Sequence, residues 1–221
     1  MTPFNCGAPR LPIRRIFLVD DHPLVRLGMR RILEQEADLV VCAEAGSAHQ
    51  ARKVVAQCRP DVMISGIGAR HAHDISLIRD IRLRFPQLPI LVLSALDEDI
   101  YAQRMLSVGA NGYIMKLADP QLLVLALRRV LAGGIYVSET VANTIMQQRA
   151  GKAPLVANPI DRLTNRELQV LHLVSDGFGS REIADRLFVS QKTIESHRQR
   201  IKQKLSLDTG IQLLQYAMSD S

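Results

Sequence analysis

The stretch IFLVDDHPLVRLGMRRIL, residues 16–33, joins an apolar run, an acidic pair and a helix-like segment. Residues 16–19 are all apolar, which is typical of a strand buried on both faces. Asp20 and Asp21 follow directly, and apolar residues then recur at near-helical spacing over residues 24–33. A buried strand that leads straight into a helix begins a βαβ unit, so this stretch predicts a parallel sheet.

The same alternation continues to about residue 132. Helix-like segments lie between and after the strand-like ones, and five strands interleaved with five helices predict a doubly wound parallel sheet in an α/β domain at residues 13–134. The strand-like segments are 15–19, 39–45, 61–65, 90–93 and 112–115, and the helix-like segments are 22–35, 48–57, 75–84, 98–108 and 120–131.

A second domain is predicted after a linker. Residues 135–160 hold a helix-like stretch and then AGKAPLVANP, a run of small residues with two prolines that is typical of an interdomain linker. From residue 161 to residue 221 the pattern is helical throughout. We therefore expect a short all-α domain there.

Charge suggests a polyanionic partner. The chain carries a net charge of +6, and its pI is about 9.5. Residues 161–221 are almost balanced, with 9 basic and 8 acidic side chains, but residues 190–204 hold five basic side chains and only Glu195 as an acidic one. That local concentration is suited to a phosphate-facing surface.

Composition argues against a membrane-spanning protein and against a metal site built from cysteines. The longest apolar run, residues 122–127, is far shorter than the ~20 residues that span a bilayer, so we expect a cytoplasmic protein without a membrane partner. Cys6, Cys42 and Cys58 are an odd number without metal-ligand spacing, which indicates free thiols in a reducing compartment.

Polar residues end several of the predicted strands. Asp20 and Asp21 follow the first strand, Ser94 ends the fourth and Lys116 follows the fifth. Functional groups gather at the carboxyl edge of an open parallel sheet, so these four side chains predict a pocket. Adjacent carboxylates need a cation, either Mg²⁺ or the Lys116 ammonium. The alternative, that the acidic pair only caps the next helix, does not explain Ser94 and Lys116.

The C-terminal part predicts a helix-turn-helix. Thr164 and Glu167 have the spacing of a capping box before an apolar helical stripe. Ser180 is expected to cap a second short helix, and Ser190 to cap a long basic helix over residues 191–205. The alternative is a solvated basic helix in a bundle.

Both halves resemble bacterial response regulators of the LuxR/NarL/FixJ type. IFLVDDHPLVRLGMRRIL, LVLSA and GANGYIMK are similar to receiver-domain motifs, and LTNRELQVLHLVSDGFGSREIADRLFVSQKTIESHRQRIKQKL is similar to the LuxR/NarL-type DNA-binding domain. The resemblance implies a CheY-like, flavodoxin-like five-stranded sheet and a four-helix DNA-binding domain. It also implies a pocket of Asp20, Asp21, Ser94 and Lys116.

The third strand departs from the family pattern. In RPDVMISGIGAR, residues 59–70, Gly66 stands where the family has its phosphoacceptor aspartate, and Ala69 and Arg70 replace a Met-Pro pair. Phosphoryl transfer needs an oxygen nucleophile, which glycine lacks. Loss of one carboxylate also predicts weak or absent Mg²⁺ binding at Asp20 and Asp21, with Lys116 satisfying the pair alone.

Other groups near Gly66 leave alternatives open. Ser65 could substitute as acceptor, although alternation along a strand turns it to the opposite face. His71, His73 and Asp74 are explained as loop residues. The guanidinium of Arg70 could instead fold over the acidic pair as a built-in cation.

Resemblance to the recognition helix implies roles for the basic helix. Glu195, Ser196 and Gln199 fall where base edges are contacted, and Ile211 and Leu214 fall where the fourth helix supports a homodimer. Glu195 could instead pair with Arg198 or Gln199, and Ile211 and Leu214 could pack within the domain. Phosphate contacts are expected from Lys192, Thr193, Arg198, Arg200 and Lys202.

Together these features predict a dimeric transcription regulator, not an enzyme, that binds promoter DNA independently of aspartyl phosphorylation. A protein partner or a small molecule would then signal through the receiver-like domain. Two alternatives remain: a phosphorelay protein with a non-standard acceptor, and an adaptor that acts by heterodimerisation.

Overall fold

The computed structural model describes residues 12–67, 71–150 and 159–219, and the chain divides into two compact units. The boundaries expected at residues 134 and 160 stay predictions. The first unit holds five strands: β1 Arg14–Val19, β2 Leu39–Ala45, β3 Val62–Ile67, β4 Ile90–Ser94 and β5 Gly112–Met115. Its helices are α1 Pro23–Leu33, α2 Ala48–Cys58, α3 His71–Arg84, α4 Glu98–Ser107 and α5 Pro120–Leu131, and α6 Glu139–Arg149 follows.

All strand pairs of the sheet are parallel, in the order β2-β1-β3-β4-β5. This is the predicted five-stranded CheY-like sheet, and it places β3 at the centre between β1 and β4. The sequence predicted that β3 ends at Ser65, but the strand continues because Gly66 pairs with Leu93 and Ile67 pairs with Ser94. Glycine is a weak strand signal, and the pairing of these two residues with β4 outweighs that weakness.

Apolar strand residues fill the core on one face of the sheet against α1 and α5. Every residue of β3 is buried, as expected for a central strand covered on both faces. Two helices begin with proline, whose fixed backbone angle suits a first helical turn: Pro23 begins α1, and Asp119 caps α5 just before Pro120. The core on that face includes Ile16, Leu18, Met29, Leu33, Ile64, Leu91, Leu93, Ile114, Leu127 and Val130.

The second unit is helical, with α7 Asn165–Ser175, α8 Ser180–Leu187, α9 Gln191–Leu205 and α10 Gly210–Ser219 after a 3₁₀ turn, Pro159–Arg162. Thr164 caps α7 in the predicted capping box with Glu167. The prediction for α8 was wrong by one residue: Gly179 is the N-cap, and its N–H donates to Glu182 Oε2 at 2.9 Å. Phe188 makes the turn to α9 with φ 54°.

Among the described helices, none combines the length and the apolar character that crossing a membrane requires.

We expect Leu33→Ala to lower the free energy of unfolding of the first unit by about 2–5 kcal/mol, because Leu33 is fully buried and its loss leaves a cavity. Leu24→Ala is the matched control on the same helix, since Leu24 is 82% exposed and its loss should change stability by only ~0.5 kcal/mol. Urea unfolding followed by tyrosine fluorescence reports mainly this unit, which holds Tyr101, Tyr113 and Tyr136, whereas the second unit holds the fourth tyrosine, Tyr216. Equal effects of both substitutions would contradict the assigned core.

Candidate functional sites

Asp20 forms a buried ion pair at the carboxyl edge of the sheet. Its side chain is fully buried, and Oδ2 lies 2.7 Å from Nζ of Lys116. Oδ2 accepts no hydrogen bond of good geometry, so the charge of Lys116 is its compensation. The other oxygen, Oδ1, accepts the backbone N–H of His22 at 2.8 Å. Both oxygens of Asp20 therefore have a partner within the protein.

Gly66 lies directly beside this ion pair on β3. A Cβ built at residue 66 would overlap Oδ2 of Asp20 and lie only 2.6 Å from its Cγ. Real Cβ atoms do not approach so closely. The Asp20 carboxylate therefore occupies the space that a side chain at residue 66 would need, and it does so because glycine leaves that space free.

Asp21 does not share the ammonium of Lys116, contrary to the expectation that Lys116 would satisfy both carboxylates. Asp21 is exposed, and its Oδ1 lies 2.7 Å from Nδ1 of His22. The His22 ring also approaches Oδ1 of Asp20 at 3.2 Å. His22 was missed in the sequence because only its place next to the acidic pair could have indicated this role.

The three side chains of Asp20, Asp21 and His22 each offer a ligand atom, and these atoms lie within 4.8 Å of one another. Mg²⁺ prefers an octahedral set of oxygen ligands. Here one ligand is an imidazole, and both oxygens of Asp20 already have partners. This arrangement does not fit Mg²⁺ unless Asp20 leaves Lys116.

Ser94 and Tyr113 form a buried polar link behind this edge. Ser94 Oγ donates to the carbonyl of Ile67 at 3.3 Å and accepts the N–H of Leu96 at 3.0 Å. The Tyr113 hydroxyl donates to the carbonyl of Leu96 at 2.6 Å, and burial raises the pKa of Tyr113. The Ser94 hydroxyl is thus engaged locally. Tyr113 was missed, because an aromatic residue in a buried strand is ordinarily a core residue.

The remaining candidates near Gly66 have separate outcomes. Ser65 is buried, and its Oγ has no hydrogen-bond partner in the described part of the chain. Arg70 and Ala69 lie outside the described residues. His71, His73 and Asp74 fall in the first turn of α3 rather than in a loop, and their side chains also lie outside the described part.

Two arginines of α1 hold the backbone next to Asp20. Arg26 Nη1 donates to the Asp20 carbonyl at 2.6 Å, and both Arg26 and Arg30 bind Glu44, at 3.1 and 2.7 Å. Burial acts to raise the pKa of Glu44, but the hydrogen bonds from Arg30 and Arg26 outweigh it and lower that pKa. Glu44 therefore stays ionised and fixes the arginines that position the end of β1.

The long helix α9 presents the predicted polar surface. Ile194 and Ile201 are buried and anchor the helix. Glu195, Ser196 and Gln199 are exposed, and Glu195 accepts a long hydrogen bond, 3.5 Å, from Gln191. Thr193 completes the Ser190 cap, with 2.8 Å between the two hydroxyl oxygens. Of the residues proposed for phosphate, Lys192 and Arg200 are exposed and Thr193, Arg198 and Lys202 are half-buried.

Two ionisable groups lie beneath this surface. Glu167 is buried and accepts from Lys204 Nζ at 2.6 Å; burial acts to raise its pKa, but the Lys204 and Thr164 hydrogen bonds lower it overall. Burial, with Arg166 and Arg200 nearby, lowers the pKa of His197, whose Nδ1 is buried without a partner in the described residues. His197 therefore acts as a neutral packing residue near pH 7.

On α10, one stripe packs inward and another faces outward. Leu213 and Ala217 are buried and supply the intradomain contact. Ile211 is 71% exposed, and Leu214 and Met218 lie on the same exposed side. The alternative that Ile211 and Leu214 pack within their own domain is therefore not what this structure has.

Comparison with known families identifies the family of each part of the chain. The model of the response regulator receiver domain matches residues 16–128, and the model of bacterial regulatory proteins of the luxR family matches residues 161–217. A receiver domain followed by this DNA-binding domain defines a non-enzymatic transcription factor of two-component systems. The chain belongs to the LuxR/NarL-type response regulators.

Individual relatives align over nearly the whole chain. The oxygen regulatory protein NreC of Staphylococcus epidermidis is 34% identical over 210 residues, which cover 92% of this chain and 96% of NreC. A structure of the response regulator RcsB from Salmonella typhimurium has a TM-score of 0.70 and 28% identity, over 95% of this chain and 98% of RcsB. RcsB bound to the promoter rprA, with the phosphomimetic BeF3⁻, has a TM-score of 0.65 and 29% identity, over 93% and 98%.

We expect Lys116→Met to lower the free energy of unfolding by about 3–5 kcal/mol, because it leaves the buried Asp20 carboxylate without a counter-charge. The double variant Asp20→Asn, Lys116→Met is the control and should recover most of that loss, since no charge then remains buried. Urea unfolding of both proteins measures the difference. A double variant as unstable as the single one would show that the pair is not the cause.

Because the pKa of buried Glu167 is lowered, we expect the second unit to lose stability at acidic pH. Its pKa in the folded protein is below the ordinary 4.5, so its contribution to stability is present above pH 4.5 and is lost as pH falls through the folded-state pKa. Glu167→Gln should therefore flatten the fall in Tm below pH 4.5, measured by calorimetry. Glu195→Gln, at an exposed position on α9, should leave the slope unchanged. Identical slopes in the wild type and Glu167→Gln would contradict this prediction.

Proposed function

We propose that this response regulator binds promoter DNA as a dimer and is controlled independently of aspartyl phosphorylation. The observation that supports this most directly is the Asp20 carboxylate, which fills the space above Gly66 and pairs with Lys116. In this proposal Gly66 stands at the degenerate phosphoacceptor position, and the domain acts as a pseudo-receiver.

The side chains of the pocket argue against phosphoryl transfer to this domain. The acceptor must present an oxygen in line with the phosphorus, and residue 66 has no side chain. The Ser94 hydroxyl is held between Ile67 and Leu96, and Ser65 is fully buried. Neither hydroxyl therefore offers an accessible, activated oxygen at the edge where Asp20 lies.

The Lys116 ammonium acts as a permanent cation in the pocket, which supports a domain state that does not depend on phosphorylation. In the proposed pseudo-receiver, the Lys116 ammonium performs the charge compensation that a divalent cation would otherwise supply, so the pocket is complete without Mg²⁺ or phosphate. The conformational state of the domain would then be set by dimer formation, a protein partner or a small molecule. Arg70 remains a proposed additional cation.

The second unit supplies the proposed DNA contacts. RcsB has been observed on promoter DNA, and we propose the same class of partner for this chain. Exposed Glu195, Ser196 and Gln199 would contact base edges, while the exposed stripe with Ile211 and Leu214 would pair two copies. The phosphate contacts proposed are those of Lys192, Thr193, Arg198, Arg200 and Lys202.

Radiolabelled acetyl phosphate tests phosphorylation independence. The purified protein should take up no label at neutral pH with or without Mg²⁺, whereas RcsB in the same reaction serves as the donor control. Stable labelling of this chain would overturn the proposal and favour an alternative acceptor. Ser65→Ala, Ser94→Ala and His71→Gln would then identify the labelled side chain.

Two substitutions on α9 should separate affinity from specificity. On DNA fragments selected from a genomic library by the protein itself, Arg198→Ala should weaken every fragment and reduce the logarithmic salt slope by about 0.9. Gln199→Ala should instead change sequence preference, by ~1–3 kcal/mol at one base pair. Lys53→Ala on α2 removes the same charge elsewhere and is the control. Fluorescence anisotropy gives both quantities, and an unchanged preference for Gln199→Ala would argue against its assigned contact.

A further inference from the structure

A cavity of about 240 Å³ lies between α1 and α5 of the first unit, next to the last residues of β4 and β5. Most of the residues that line it are apolar, among them Val25, Met29, Ile32, Leu93, Ile114 and Leu123. Four of these six belong to the buried core of this face of the sheet. The volume is somewhat below the roughly 300–1,000 Å³ of pockets for drug-sized ligands, so the cavity suits a smaller molecule.

Gly28 in the middle of α1 lines the same cavity and leaves it open. A Cβ built at residue 28 would have no heavy atom within 4 Å, so no neighbouring group requires glycine there. Its φ is not in the left-handed region either. Glycine is a poor residue for the middle of a helix, and neither packing nor backbone conformation explains it here. The open space beside α1 is therefore the feature that the missing side chain preserves.

Lys116 and Asp119 are the charged residues that line the cavity. Asp119 caps α5, and its Oδ1 accepts the N–H of Gln121 at 2.8 Å. The Lys116 ammonium lies 2.7 Å from Asp20 Oδ2, and this contact engages one of its three N–H donors. An uncharged oxygen acceptor can bind another of these donors. A second anion would compete with Asp20, and a cation would be repelled by the ammonium.

We propose that this cavity binds a small uncharged amphipathic molecule, whose apolar chain lies between α1 and α5 and whose carbonyl oxygen accepts from Lys116. Because Lys116 also compensates Asp20, such a ligand acts directly on the ion pair beside Gly66. The cavity is then the small-molecule input of the first unit. That regulatory role rests on the phosphorylation-independent control proposed above, whereas binding itself is measured without DNA or a phosphodonor, so the two proposals can fail separately.

Octan-2-one is the probe for the test, because it is an uncharged ketone with a short apolar chain. The full-length protein, isotope-labelled at its methionine methyl groups, reports the site by NMR. Met29 and Met115 line the cavity, whereas Met63 and Met105 are buried and do not line it. Titration should move the Met29 and Met115 resonances to saturation and leave the other two unchanged. Unmoved resonances, or equal shifts of all four, would overturn the proposal.

Charged analogues of the same chain length test the class of ligand. Octanoate competes with Asp20 for Lys116, and octylammonium meets the Lys116 charge. Each should bind about tenfold more weakly than octan-2-one, or weaker still, in the same NMR titration. An affinity for either ion that equals the affinity for the ketone would contradict the uncharged ligand.

Two substitutions on α1 test the position of the site. Gly28→Leu should fill the space beside the helix and abolish the ketone-induced shift of Met115. Arg31→Leu introduces the same side chain at an exposed residue that does not line the cavity and should leave the affinity unchanged. Unaltered Met63 and Met105 resonances show that the Gly28→Leu protein is folded. Undiminished ketone binding by this variant would place the ligand elsewhere and overturn the proposal.

A second copy of the chain is the competing occupant. In that case the Met29 and Met115 resonances would move with protein concentration and not with octan-2-one, and Gly28→Leu would change the dimer affinity measured by sedimentation. That outcome would overturn the small-molecule site.

Discussion

The ion pair between Asp20 and Lys116 sets the state of the carboxyl edge of the sheet. A fully buried carboxylate is costly without compensation, and here the ammonium of Lys116, which follows β5, approaches Asp20, which follows β1. The two strands are separated by β3 and β4 in the sheet, so this contact links one side of the edge to the other. It is possible because Gly66, on the strand between them, contributes no side chain to the space that the carboxylate fills.

Neighbouring contacts depend on the same placement of Asp20. The His22 N–H binds its second oxygen, and Arg26 binds its backbone carbonyl while pairing with Glu44. Behind the edge, Ser94 and Tyr113 are hydrogen-bonded to backbone carbonyls. The Asp20 side of the pocket is therefore satisfied by internal contacts, whereas in the second unit the polar groups of α9 remain exposed.

Local patterns were sufficient to predict the strands, the helices and the helix-turn-helix, because apolar periodicity and caps such as Thr164 act over a few residues. The edge positions of Asp20, Ser94 and Lys116 followed from the parallel topology. The pairing of Asp21 with His22 did not, because it depends on side-chain rotation.

Occupation of the space above Gly66 also bears on how such a pocket could change in evolution. A single codon change that introduced an acidic side chain at residue 66 would place it against the Asp20 carboxylate, and two anions would compete for one ammonium. Asp20 would have to withdraw and a divalent cation would have to enter before the new residue was tolerated. An acidic residue at position 66 therefore needs several concerted changes around it, and a single substitution does not supply them.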